Sequence, residues 1–264
     1  MKKILLSIIF LLFTSGFVLA EVKTQEIDYK AGSTTLKGYL AYDDASPDKR
    51  PGIMVVHEWW GHNDYARKRA RMLAELGYVA FAVDMYGDGK HTDHPDEAAA
   101  FMKAVNDDAA LSQTRFNAAY RIIKDFNLTD KDKIGAIGYC FGGGTVLKMA
   151  MSGAPLVGVA SFHGALALPQ ELPQVGAVKA KILVCHGGDD KFATTEQIVA
   201  FKKALDDAKA DYMFNIYAGA KHGFTNPAAD MYAHKFGMPL AYDATADAQS
   251  WSDMKDFFKK LFGK

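Results

Sequence analysis

Cys140 lies in the run Gly138-Tyr139-Cys140-Phe141-Gly142-Gly143, where an apolar stretch ends and a helix-forming stretch begins at once. A thiol with glycines two before and two after it is the layout of a nucleophile elbow, with sulfur where most such turns carry a hydroxyl. The turn is tight enough to strain the backbone of its tip residue, so those flanking positions must lack a Cβ. The helix that follows points its first N–H groups at the tip, which favours a thiolate and any oxyanion formed beside it. The same run also suits a Gly-rich loop around a buried structural cysteine, so the reading depends on partners. A nucleophile needs a base, the base an orienting acid, and the nascent charge needs donors. His222, in Lys221-His222-Gly223-Phe224, is the candidate base, against a plain surface-loop histidine. Asp190, in Gly187-Gly188-Asp189-Asp190-Lys191-Phe192, is the preferred acid and Asp189 the alternative; either also suits a loop or capping role. Glu58, in His57-Glu58-Trp59-Trp60-Gly61, stands beside aromatic bulk that would desolvate its carboxyl and fit it for proton transfer; otherwise it is a solvated loop acid. The backbone N–H groups of Phe141 and Trp59 are the natural oxyanion donors. Trp60, Tyr86 and Phe224, adjoining these runs, are expected to line a substrate pocket, although Trp60, like Trp59 and Phe141, suits a core wall equally.

Positioning these groups requires strands that all end on one side. Residues 25–30 and 34–42 alternate like an antiparallel start. Short continuous apolar runs follow at 52–56, 79–83, 133–137, 157–162, 182–185 and 212–217, separated by helical patterns at 64–76, 95–126 (broken near Asp107), 142–151, 194–209 and 246–262. Strands apolar on both faces belong to a mostly parallel sheet covered by helices on both sides. In a doubly wound sheet of that kind the chemistry gathers at the carboxyl ends of the strands, where every residue named above falls. The final helical pattern carries Trp251, Met254, Phe257, Phe258 and Leu261 at helical spacing, a core-facing stripe.

The chain has 264 residues with 31 basic and 31 acidic side chains, which gives no reason to expect nucleic acid or an anionic membrane surface as partner. Residues 1–20 read as a secretory leader: Lys2 and Lys3, an apolar run too short for a bilayer span, and the small-residue end Val18-Leu19-Ala20. Residue 21 is Glu, which disfavours lipid anchoring at that junction. The expectation is a single domain over 21–264, exported to the periplasm or beyond, with no stable membrane association after cleavage. Two cysteines, Cys140 and Cys185, in an oxidising compartment suggest a disulfide by default, but each ends its own buried strand and a bridge would consume the nucleophile. Cysteine redox chemistry would want a Cys-x-x-Cys pair, which is missing. His91-Thr92-Asp93-His94 has no accompanying ligand set and is a solvated loop. His57, His163 and His186 near strand ends read as satisfied structural histidines.

The four runs Gly-Tyr-Cys-Phe-Gly-Gly, His-Glu-Trp-Trp-Gly, Gly-Gly-Asp-Asp-Lys-Phe and Lys-His-Gly-Phe, in this order, resemble the dienelactone hydrolase (carboxymethylenebutenolidase) family across essentially all of the chain after residue 20. The resemblance implies the α/β-hydrolase fold, with Cys140 as nucleophile, His222 as base and Asp190 as acid, since Asp190 falls on the family's Gly-Gly-x-Asp-x-Phe pattern. Glu58 matches the glutamate that assists thiolate formation when substrate binds. The implied reaction is acyl transfer to sulfur from a small-molecule ester or lactone, with no metal or organic cofactor, in a monomer or small homo-oligomer. The family's two carboxylate-binding arginines have no match: the corresponding stretches read Met85-Tyr86-Gly87-Asp88-Gly89-Lys90 and Phe224-Thr225-Asn226-Pro227. Lysine does not reproduce a bidentate anchor, so Lys90 is a weak substitute and a neutral or differently charged ester or lactone is expected in place of dienelactone. A catalytically idle scaffold that binds a ligand or partner is the alternative, disfavoured by retention of all three triad residues.

Overall fold

The computed structural model describes residues 21–263; the leader expected at 1–20 lies outside them. Among the described residues, eight strands form one sheet in the order β1-β2-β4-β3-β5-β6-β7-β8. β1 (Val22–Ala31) and β2 (Thr34–Asp43) make an antiparallel hairpin, and β2 joins the sheet by pairing antiparallel with β4 (Val79–Val83). From β4 through β3 (Arg50–Val56), β5 (Thr129–Tyr139), β6 (Gly158–Phe162) and β7 (Lys181–Gly187) to β8 (Tyr212–Tyr217), every pairing is parallel. β3, β4 and β6 are buried along their whole length, which is why they read as unbroken apolar runs.

Two apolar layers cover the sheet. One packs α3 (Ala109–Asp125), α4 (Phe141–Met151) and α5 (Thr195–Asp207) against Met54, Phe81, Ile134 and Ile182. The other packs α1 (Asp64–Glu75) and α7 (Ala244–Phe262) against Ile53, Val55, Ile137 and Leu183. Met254, Phe257, Phe258 and Phe262 of α7 are buried there, as the stripe predicts. The long helical pattern at 95–126 is indeed two helices: α2 (Pro95–Asn106) stops, and Asp108 caps α3 by accepting from the Leu111 N–H at 2.8 Å. One helix was not expected, α6 (Ala229–Phe236). Its eight residues bury only Ala229 and Tyr232 and have no side-chain cap, so it carries little periodic signal.

β3 lies between β4 and β5, so the chain leaves β3 first toward one edge of the sheet and later toward the other. At that switch point the segments after β3 and β5 diverge and leave a crevice. Val56 pairs with Gly138, which sets Glu58 and Cys140 side by side just past the two strand ends.

Candidate active site

Cys140 forms the corner between β5 and α4 with φ 53° and ψ −114°, a conformation that non-glycine residues rarely adopt. A Cβ at Gly138 would collide with the Gly142 carbonyl, and one at Gly142 with the Val56 and His57 carbonyls. Backbone cannot yield as a flexible side chain can, so both glycines are required for the corner to touch β3. Cys140 and Cys185 are both free thiols, Cys140 half-buried and Cys185 buried, where burial pushes its thiol up to about 12.

His222 follows β8 and Asp190 follows β7. His222 Nδ1 lies 2.9 Å from Asp190 Oδ2, and the other carboxylate oxygen accepts the Phe192 N–H at 2.8 Å. With Nδ1 engaged by Asp190, Nε2 is the nitrogen left for the neighbouring Cys140 side chain. Burial works against charge on His222, but the Cys140 sulfur and the Asp190 carboxylate outweigh it and push its pKa up to about 10. Burial would also raise Asp190, yet the His222 and Phe192 hydrogen bonds hold it below the usual carboxylate range. The loop bearing His222 is braced from below. Thr225 Oγ1 meets Tyr65 Oη at 2.7 Å and His163 Nε2 at 2.8 Å, while buried Arg69 donates to the Thr225 carbonyl at 2.7 Å and pairs with Asp247 at 2.5 Å.

Glu58 is only 4% exposed, and burial pushes its carboxyl up to about 7 against the lowering effect of the Asn226 amide, which donates to Oε2 at 2.5 Å. A small hollow lined by Glu58, Cys140 and His222 joins this carboxyl to the thiol and the imidazole. Before it, His57 is fully buried with both ring nitrogens engaged. The Met85 N–H donates to Nε2 at 3.2 Å, so Nδ1 carries the proton and donates to the Glu58 carbonyl at 2.6 Å. In a trans peptide the C=O and N–H point opposite ways, so holding the Glu58 oxygen aims the Trp59 N–H away from His57. Tyr86 Oη donates to the Trp59 carbonyl at 3.1 Å and fixes the next peptide as well. Among the described residues, neither the Trp59 nor the Phe141 N–H has a backbone acceptor.

Over Cys140 opens a cavity of about 240 Å³. Its walls are mostly apolar, from Trp59, Met102, Phe141, Ala165, Phe192 and Met238, and Cys140, Asp190 and His222 also line it.

Residues 36–262 match the dienelactone hydrolase family. The chain belongs to that family. A putative carboxymethylenebutenolidase of Aquifex aeolicus is 26% identical over 89% of this chain and 97% of its own. One of Escherichia coli is 25% identical over 87% and 84%. A crystal structure described as a dienelactone hydrolase-like promiscuous phosphotriesterase from metagenomic libraries superposes with a TM-score of 0.86 at 36% identity, covering 91% of this chain and 99% of the other.

This dienelactone hydrolase family member brings Cys140, His222, Asp190 and Glu58 into one crevice, with Trp59 and Phe141 at its rim. Of the three side chains expected to line the pocket, none lines the larger cavity, and Trp60 alone lines the small hollow beside Cys140. Trp60 is buried, stacked on Tyr232 at 4.0 Å, and reaches only the small hollow by Glu58. Tyr86 is buried behind Phe141, and Phe224 is fully buried against Tyr217 and His163. Each neighbours a site residue in sequence but turns toward the core. Lys90 is exposed and does not line the cavity. The wall residues Met102, Lys148 and Met238 and the Glu58 partner Asn226 carry no motif. Asn226 alone had a signal, its place in a stretch where the family has an arginine.

Proposed function

We propose that this hydrolase cleaves a carboxylic ester or lactone through Cys140 as nucleophile and a thioester acyl-enzyme. The observation that carries the reading is the His222–Asp190 hydrogen bond, 2.9 Å, standing beside Cys140 at a strained elbow in one cavity. Sulfur attacks the carbonyl carbon with its proton already held on His222 Nε2, the charge that Cys140 and Asp190 favour there, or, when substrate enters, handed to a deprotonated Glu58 across the shared hollow. The developing oxyanion accepts the Trp59 and Phe141 N–H groups, donors already oriented and so free of reorganisation cost. Collapse breaks the ester C–O bond, and the leaving oxygen takes a proton from His222. For a lactone that oxygen stays tethered to the acyl group. Water then attacks the thioester, gives one proton to His222, and the C–S bond breaks to release the acid and return the thiol. Asp190 keeps the imidazole in the tautomer that presents Nε2 to the sulfur.

The kinship with a structure described as a promiscuous phosphotriesterase supports testing a neutral phosphotriester beside the carboxylic esters. Export remains part of the proposal on the pattern of residues 1–20, and the N-terminal mass of the protein recovered from the cell envelope tests it. The decisive assay is release of 4-nitrophenol from neutral aryl esters by the wild type, Cys140→Ser and Cys140→Ala. Trapping of an acyl adduct on Cys140 by mass is expected. Wild-type turnover in the alanine variant would overturn the nucleophile.

A further inference from the structure

Two spaces meet at the thiol: the cavity and the small hollow share Trp59, Cys140, His222 and Leu240 as walls. The hollow leaves only about 10 Å³ for the centre of a water-sized sphere, room for one water and for no acyl chain or leaving group. Its apolar side is Trp60, Ala229, Tyr232 and Leu240, a cluster that packs apart from the two layers on the sheet. Its polar side is Glu58 and His222, with Asn226 behind them. The Asn226 amide donates to Glu58 Oε2 at 2.5 Å, and its own oxygen accepts the Ala228 N–H at 2.9 Å, so that side chain is committed. Asp190 engages Nδ1 of His222. Two acceptors are left for a guest. One is Glu58 Oε1, which has no hydrogen-bond partner among the described residues, and the other is His222 Nε2. A buried water needs two to four polar partners, and two acceptors match its two hydrogens.

We propose that this hollow holds the hydrolytic water of the second half-reaction, and that its size reserves the acyl group for water over alcohols. The inference rests on the Cys140 thioester of the proposed function. Once the leaving oxygen has taken its proton from His222, Nε2 is an acceptor again. With Glu58 ionised, one water hydrogen faces Nε2 and the other faces Oε1, which turns an oxygen lone pair toward the acyl carbon on the sulfur. The new C–O bond forms as the first hydrogen passes to Nε2, and the oxyanion rests on the Trp59 and Phe141 N–H groups. The C–S bond then breaks, the sulfur takes that proton from Nε2, and the second water hydrogen leaves with the carboxylic acid. Glu58 is thus a catalytic residue of deacylation through its contact with the water. An alcohol has one hydrogen where water has two, so its carbon would have to stand against Glu58 or against the wall of Trp60, Ala229 and Tyr232.

Ala229 carries the test because it lines the hollow and not the cavity. Ala229→Val puts two methyl groups into the space of one water, and Ala229→Gly widens it by one methyl. With 4-nitrophenyl butyrate in stopped flow, the burst of 4-nitrophenol reads acylation. Intact-protein mass on acid-quenched samples follows the decay of the butyryl thioester. In Ala229→Val acylation is expected to stay within about twofold, while thioester decay slows about tenfold to a hundredfold, the penalty for a reactant misplaced by about 1 Å. In methanol–water mixtures the ratio of methyl butyrate to butyric acid is expected to rise about tenfold in Ala229→Gly over the wild type, the discrimination that room for one carbon supplies. Urea midpoints check that both variants fold; if Ala229→Val does not, the product ratio of Ala229→Gly decides alone. Absence of a butyryl adduct from all three proteins would defeat the proposed function and the water site with it. A thioester that forms but decays equally fast in the wild type and Ala229→Val refutes the water site alone. So does slowing of acylation and decay by the same factor, or an unchanged product ratio in Ala229→Gly.

Discussion

Glu58 makes a quantitative claim about stability. Its carboxyl is buried, and its pKa rises from an ordinary 4.5 to about 7. A folded-state pKa above the unfolded one means that the native protein holds a proton the unfolded chain has released. The associated stability is therefore complete below pH 4.5 and is lost as pH rises through 7. A separation of this size corresponds to about 3 kcal/mol once both states are ionised, and about 2.5 kcal/mol of it is lost between pH 5 and pH 8.5. Glu58→Gln keeps the shape and the acceptor for the Asn226 amide but carries no charge to bury. The variant is expected to gain about 2.5 kcal/mol on the wild type between those two pH values, read by urea unfolding at each. For a domain of this size that is a relative rise in Tm of roughly 5–10 °C. Every other carboxylate titrates in both proteins and cancels from the comparison. A stability difference that is the same at both pH values would refute the view of Glu58 as a carboxyl kept neutral by burial. The native enzyme would thus give up stability at neutral pH to keep a carboxyl poised beside its thiol, the usual exchange at a reactive site.

The same pKa sets an acid limb: kcat/KM for a neutral aryl ester should rise through about pH 7 in the wild type and lose that limb in Glu58→Gln. A limb that persists in the variant would assign it to another group. Gly142→Ala drives a methyl into the Val56 and His57 carbonyls, so a loss of several kcal/mol in stability and at least about a hundredfold in kcat is expected. Near-native unfolding and kinetics would show that the corner is not the sterically locked one described. Iodoacetamide on the native protein should add a single group, at Cys140, because Cys185 is buried and its thiol sits near 12; a peptide map showing alkylated Cys185 before unfolding would contradict this. His57→Leu frees the peptide that aims the Trp59 N–H, and kcat should fall by up to about a hundredfold with KM nearly constant. His57→Gln, which can still donate, should recover part of it; equal kcat in all three proteins would separate His57 from the oxyanion donors.

What the chain discloses by itself depends on how local the physics is. The elbow is legible because its glycines answer to contacts within a few residues and one neighbouring strand, so Gly138 and Gly142 follow from the demand on Cys140. The choice of Asp190 over Asp189 came from position in a motif. The structure shows one hydrogen bond behind it: Phe192, two residues on, donates to the carboxylate that holds His222. The sheet and most helices are legible for a similar reason, since runs buried on both faces admit few other arrangements. The cavity is another matter. Its walls come from α2, α4 and the segment after α6, residues whose only common property is where long-range docking puts them. Met102 and Met238 look like ordinary core or surface positions in their own helices and loops. Lys148 is the one charged residue of α4, and nothing in its own run says that it reaches the cavity. Adjacency to a motif misleads in the opposite sense. Phe224 stands two residues after His222, yet the loop must also seal the layer beneath the imidazole, and the ring is consumed in that packing against His163 and Tyr217. A site's chemistry is thus written in short runs because bond-making groups must meet within about 3 Å of each other. Its selectivity lies with distant side chains, because a substrate extends farther than any turn. For this chain the consequence is concrete: the arginines absent from the motif-bearing loops say only that those loops do not hold an anion, while the cavity wall itself is built from residues far from those loops in sequence.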